Sequence, residues 1–316
     1  MKKSIFILVA SLAALLAQAQ ESQTAYNFLR LPVSAHEAAL GSENITITDD
    51  DQSLIFSNPA LLSNVGDKTI GLNYMNYMEG VNTASAAFTC VADSSASWGV
   101  SGQMMDYGTM REVDENNVTT GDFSAKDMAL AGYFSYLLTD RITGGIAVKM
   151  IHSTIGSYNS TAVGVDLGLN YYDSLREWSV SVVAKNLGGQ IDAFEDDYDR
   201  MPIDLQAGVS KRLVYTPLRF SATLSDLGHW DYKFIQHLAI GADLLLSQQV
   251  WVGLGYNFRR AHQMSILSSL DNEESSHGAG FTIGAGLSLQ RFKLAVGYGK
   301  YHVSSSSILI NAAYTL

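Results

Sequence analysis

The chain has 316 residues and a net charge of −11, and it is 47% hydrophobic but only 16% charged, with 27 Gly, 4 Pro and one Cys. That charged fraction is well below the roughly 25% of an ordinary soluble domain. No run of roughly 18 apolar residues follows the N-terminus, so no spanning helix is available. The acidic balance argues against nucleic acid as a partner, and the lone Cys90 rules out a disulfide framework within the chain.

In chain order, Met1, Lys2 and Lys3 form a basic start, residues 4–16 an apolar run, and Ala17-Gln18-Ala19 a cleavage signal. Residues 1–19 therefore read as a secretory signal peptide cut before Gln20. The next stretch, residues 20–68, has no strand rhythm. Residues 31–40 predict a short helix with Pro32 near its start and Gly41 as its stop, and residues 44–48 a small strand. Asp49, Asp50 and Asp51 predict a capped turn or ion pairs, and a structural turn is expected at Asn58-Pro59-Ala60.

From Thr69 the pattern becomes period two, which places alternate side chains on opposite faces of a strand. Fourteen such segments are expected: 69–77, 82–90, 96–105, 126–137, 141–152, 158–172, 177–186, 203–213, 217–225, 237–246, 250–258, 278–290, 291–300 and 304–316. Most exceed the five or six residues of an average strand and suit the roughly 9–11 needed to cross a bilayer at a tilt. Tight turns such as Thr139-Asp140, 173–176 and 247–249 alternate with longer connections at 106–125, 187–202, 226–236 and 259–277, although those at 78–81, 153–157 and 301–303 are short. Short periplasmic turns and longer outer loops are the habit of outer-membrane barrels. The sequence thus predicts an all-β membrane protein: a 14-stranded antiparallel outer-membrane β-barrel over 69–316, both termini periplasmic, with residues 20–68 as a hatch inside the lumen.

One strand face carries Leu, Ile, Val, Phe and Ala. The other carries Gly, Ser, Thr and the charges Lys149, Asp166, Lys185, Asp204 and Asp243, which are assigned to the lumen because a charge facing lipid at the midplane costs about 2–4 kcal/mol. Tyr74, Tyr77, Tyr136, Tyr158, Tyr171, Trp178, Tyr256, Tyr298 and Tyr301 lie near strand ends and are expected to form interfacial girdles. Cys90 falls on the apolar face. Asp192, Glu195, Asp196, Asp197 and Asp199 form an acidic outer-loop group open to a partner or an ion. His36-Glu37 begins a zinc-protease pattern whose second His is missing. No catalytic residue, metal site or cofactor is expected, and of the histidines His229, His237, His262 and His277 fall at outer loops.

Longer motifs carry a resemblance. Tyr26-Asn27-Phe28-Leu29-Arg30-Leu31-Pro32, Ala38-Ala39-Leu40-Gly41, Ser57-Asn58-Pro59-Ala60-Leu61-Leu62, Gly121-Asp122-Phe123-Ser124-Ala125 and Val183-Ala184-Lys185-Asn186-Leu187-Gly188 stand in an order that resembles the PorV/PorQ family of the type IX secretion system. That family is similar in fold to the long-chain fatty-acid-transporter barrels. The resemblance implies an anchoring role at the cell surface through the outer loops, with a PorZ-like protein, PorU, PorV and lipopolysaccharide as partners. The alternative is an outer-membrane channel or transporter for small hydrophobic molecules, which needs an apolar path past the hatch.

Overall fold

The computed structural model describes residues 24–116, 118–230, 233–264, 266–267, 274–275, 278–302 and 305–316. The expected signal peptide, its cleavage point and His277 lie outside them. The period-two segments form strands: β1 (Thr69–Met78), β2 (Val81–Val91), β3 (Ala96–Val113), β4 (Thr119–Thr139), β5 (Ile142–Ile155), β6 (Tyr158–Asp173), β7 (Trp178–Asp192) and β8 (Asp204–Arg212). They continue as β9 (Leu218–Leu224), β10 (Leu238–Leu245), β11 (Val250–Asn257), β12 (Ile266–Leu267), β13 (Glu274–Ser275), β14 (Phe281–Ser288), β15 (Phe292–His302) and β16 (Ser305–Thr315). β12 and β13 pair only with each other. The other fourteen close an antiparallel barrel, β1 meeting β16 in register from Thr69↔Thr315 to Asn76↔Ile308. Closure leaves no open edge in the wall, the condition for a sheet in lipid.

Burial is inverted relative to a soluble protein. In β1, Ile70, Leu72 and Tyr74 point outward and exposed, while Thr69, Asn73 and Met75 point inward and buried. Outward Leu72 and Leu130 are 60% and 66% exposed, whereas inward Asp166 and Asp243 are each 1% exposed. An apolar exterior around a polar interior is what lipid outside and a filled lumen inside require.

The wall differs from expectation at its loop end. Residues 106–125 are not a loop: β3 and β4 run on to Val113 and back from Thr119 as a paired ribbon. β7 likewise reaches Asp192. Within the described residues, Thr24 and Leu316 lie at opposite ends of the barrel. Thr24 bridges Arg200 beyond the end of β7, whereas Leu316 N donates to Lys68 O (3.2 Å) below β1 at the turn end. Tyr77 and Tyr301 are not in a girdle either. Both pack inside, where Tyr301 Oη and Ser42 Oγ are 2.5 Å apart and Arg260 lies 4.2 Å over the Tyr301 ring. Tyr74, Tyr136, Tyr158, Trp178 and Tyr298 are exposed on the outer face.

Residues 24–68 run through the lumen from the loop end to the turn end. The helix is shorter than expected, Ala35–Ala39, with Ser34 as its cap. It starts late because Asn311 of β16 takes the main chain ahead of it, accepting from Ala35 N and donating to Val33 O (2.8 Å). Residues 44–48 form no strand: Asn44 Oδ1 accepts from Thr46 N (2.8 Å), and Asn58 Nδ2 donates to Ile45 O (3.0 Å). Short 3-10 helices follow at Gln52–Phe56 and Pro59–Asn64. Leu40, Ile47, Leu54 and Leu61 form a buried core within this hatch, each worth roughly 1.5–3 kcal/mol of apolar burial.

Candidate functional site

The Asn58-Pro59-Ala60 turn sets how closely the hatch meets the wall. Asn58 caps the second 3-10 helix, its Oδ1 accepting from Ala60 N (2.9 Å), and Pro59 occupies the first turn, where a missing N–H costs nothing. The wall opposite is glycine. A Cβ at Gly145 would sit 2.2 Å from Ala60 N, and one at Gly168 would sit 2.1 Å from Asn58 Oδ1.

Three ionic groups bolt hatch to wall or wall to wall. In the first, the alternation of β9 turns Arg219 inward. Its Nη1 and Nη2 fork onto Asp49 Oδ1 and Oδ2 of the hatch (2.7 and 2.8 Å), and its Nε donates to Asp243 Oδ2 of β10 (2.8 Å). His36 of the hatch helix closes the group: Nε2 lies 3.1 Å from Asp243 Oδ1, and its ring stacks on Trp251 of β11 at 3.7 Å and 8°. A planar guanidinium serves two carboxylates at once, a geometry lysine cannot reproduce.

The second group ties three staves together. Lys149 Nζ lies 2.6 Å from Asp166 Oδ2 and donates to Asn186 Oδ1 (2.9 Å), while Asn186 N donates to Asp166 Oδ1 (2.7 Å). Asn186 sits at φ 58 in a bulge of β7 opposite Asp166, and its Nδ2 donates to Pro202 O (3.0 Å). The third group holds the hatch near the loop end. Gln206 Nε2 donates to Glu43 Oε2 (3.0 Å) and Asp204 Oδ2 (2.6 Å), and Ser57 Oγ donates to Glu37 Oε2 (2.5 Å). With Lys149 and Lys185 these groups line an internal cavity of about 50 Å³, room for a few waters among charges. A larger space of about 480 Å³, lined by Asp49, Gln52, Asn73, Arg212, Trp251 and Lys293, lies between hatch and wall at the turn end.

All five lumen charges named from the sequence point inward, but they do not form one site. Lys149 and Asp166 pair with each other, Asp243 joins the Arg219 group, and Lys185 and Asp204 line the small cavity. Asp192, Glu195, Asp196, Asp197 and Asp199 are all exposed, and no group of metal-ligating residues occurs among the described residues. Asp50 pairs with Lys293 (2.5 Å), and Asp51 caps the 3-10 helix at Ser53 N (2.9 Å). Cys90 is on the outer face, its Sγ 3.3 Å from Asp67 Oδ1. At the loop end Arg259 Nη2 donates to Asp226 Oδ2 (2.7 Å), and His229 Nδ1 contacts the other oxygen. Burial pushes the Asp226 carboxyl up, but Arg259 and His229 together hold it below its ordinary value. Sequence reasoning missed Arg219, Trp251 and the role of His36. The one available signal was Arg219 among the inward residues of a strand whose other inward residues are Ser and Thr.

The sequence matches no protein-family model and no curated protein. Solved structures share the fold. The toluene transporter TodX of Pseudomonas putida is 14% identical with a TM-score of 0.56, over 89% of this chain and 96% of that one. A FadL homologue of Pseudomonas aeruginosa is 11% identical (TM-score 0.53, 89% and 98% covered), and the monoaromatic hydrocarbon channel CymD is 12% identical (0.56, 92% and 98%). In class, the chain is an outer-membrane-type β-barrel. More narrowly, its fold is that of the fatty-acid-transporter-like barrels, with helical N-terminal elements inside the lumen.

Proposed function

We propose that the chain is a non-enzymatic outer-membrane anchor of the type IX secretion machinery, its lumen plugged by residues 24–68 and its loop end turned outward to hold a PorZ-like surface partner together with PorU and PorV. The observation that supports it is the bolted hatch: the lumen is occupied by packed backbone and crossed by Arg219–Asp49 and Arg219–Asp243 ion pairs. A barrel filled in this way is suited to presenting a rim rather than passing cargo. The motifs from Tyr26 to Pro32 and from Ser57 to Leu62 supply the link to that machinery. The test is surface retention: deleting the gene should release the partner from the cell surface into the medium, and partner retained at full level in the deletion strain would end this reading.

A second reading, transport of small hydrophobic molecules, is favoured by the fold comparisons, since TodX and CymD are named as a transporter and a channel for such compounds. The space of about 480 Å³ beside the hatch is where a route would begin. Accumulation of labelled toluene by cells expressing the protein, above that of cells carrying the empty vector, would support this reading. Equal accumulation would count against it.

A further inference from the structure

The ribbon formed by β3 and β4 stands clear of its neighbours. β2 leaves β3 after Asn82↔Asp106, and β5 leaves β4 after Ala125↔Ile155, yet β3 and β4 remain paired to Val113↔Thr119. The two flanking turns touch only its base: a Cβ at Gly108 would meet Gly80 O at 3.1 Å, and one at Gly156 would meet Phe123 Cβ at 3.7 Å. Beyond that point neither edge has a neighbouring strand among the described residues.

The two edges are not equivalent. Gly156 N donates to Ser124 O (2.9 Å), so the main chain of Ser124 faces β5. By alternation Phe123 and Gly121 face β3, opposite Met110 and Glu112. Thr109 and Arg111 therefore turn N–H and C=O away from β4, on the side where β2 has ended. The β4 edge is closed at Ser124 by Gly156, whereas Thr109–Arg111 of β3 forms a short regular stretch between the register shifts at Asp106/Thr109 and Glu112/Val113, so the β3 edge is the usable one. Around it Glu79, Glu112, Asp114, Glu115 and Asp122 are all exposed, against Arg111 and, at the ribbon's base, Lys126 already paired with Asp106 among the described residues.

We infer that the Thr109–Arg111 edge of β3 is a docking strand for an extended, basic segment of a surface protein, which adds to the ribbon by main-chain hydrogen bonds. The missing neighbour calls for a strand, and the acidic surround selects its charge. The inference rests on the anchoring reading and names the element that would do the holding. It can fail while that reading stands, because a partner could be held by another loop.

The test uses the full barrel in detergent micelles and two synthetic octapeptides of alternating Lys and Val, one plain and one N-methylated at every second residue. The plain peptide is expected to bind saturably, and N-methylation, which keeps the charge but blocks the ladder, to weaken binding at least tenfold. Arg111→Pro removes an N–H that faces solvent, a place where proline is tolerated on an edge, and is expected to weaken binding at least tenfold although it makes the ribbon more acidic. Arg111→Ala keeps the N–H and is expected to bind as the parent does. Heat-shifted gel mobility confirms that both variants are folded. No saturable binding, equal binding of the two peptides, or equal loss in Arg111→Ala and Arg111→Pro would each overturn the inference.

Discussion

Arg219 serves carboxylates from two different parts of the chain: Asp49 in the hatch and Asp243 in β10, the latter 1% exposed. Removing one member of a buried pair leaves an uncompensated charge, at a cost of about 3–5 kcal/mol. Arg219→Ala is expected to loosen the hatch selectively. Amides of residues 35–64 should exchange much faster than in the parent, with barrel-strand protection unchanged; equal hatch protection in the two proteins would show that the pair does not hold it. Asn186 offers a second test, because its φ of 58 is a left-handed position that asparagine tolerates and β-branched residues do not. Asn186→Val should lower the midpoint of thermal unfolding more than Asn186→Gly, which loses the same side-chain bonds without the backbone strain. The inward placement of Asp243 and an ion pair or cap for Asp49, Asp50 and Asp51 were legible, but the partners that join them were not. His36 finds Asp243 across 207 positions of sequence, and only the folded barrel reveals that an isolated His and an isolated Arg are neighbours.

At the scale of elements, the strands that sit in lipid were legible because lipid imposes the pattern. In β5, Ile146, Val148 and Met150 face out while Ala147, Lys149 and Ile151 face in. The outer halves of β3 and β4 were not legible. Beyond Asp106 and Lys126 the alternation of apolar and polar residues vanishes, and Arg111, Glu112 and Asp122 read as a loop. The segment at 44–48 failed in the opposite way: it is apolar enough for a strand, but wall and hatch side chains take its hydrogen bonds. The hatch turn depends on wall glycines, which gives a prediction about fit. Gly145→Val would drive a side chain into the Ala60 backbone, so the hatch should become open to added protease while the barrel keeps its folded gel mobility. Unchanged protease resistance would mean that the turn does not seat against β5.

For the whole molecule, the closed antiparallel barrel and the presence of a hatch followed from composition, rhythm and connection lengths. How firmly the hatch is held did not, because it depends on long-range pairing. Fold likeness to hydrocarbon channels and a lumen crossed by buried ion pairs pull toward different functions, and they differ most sharply in whether the barrel conducts. Reconstitution into a planar bilayer measures this directly. The parent protein should show no steady ion conductance, while a variant carrying Arg219→Ala together with His36→Ala should show resolvable openings. Stable conductance steps from the parent protein would contradict a bolted, closed lumen.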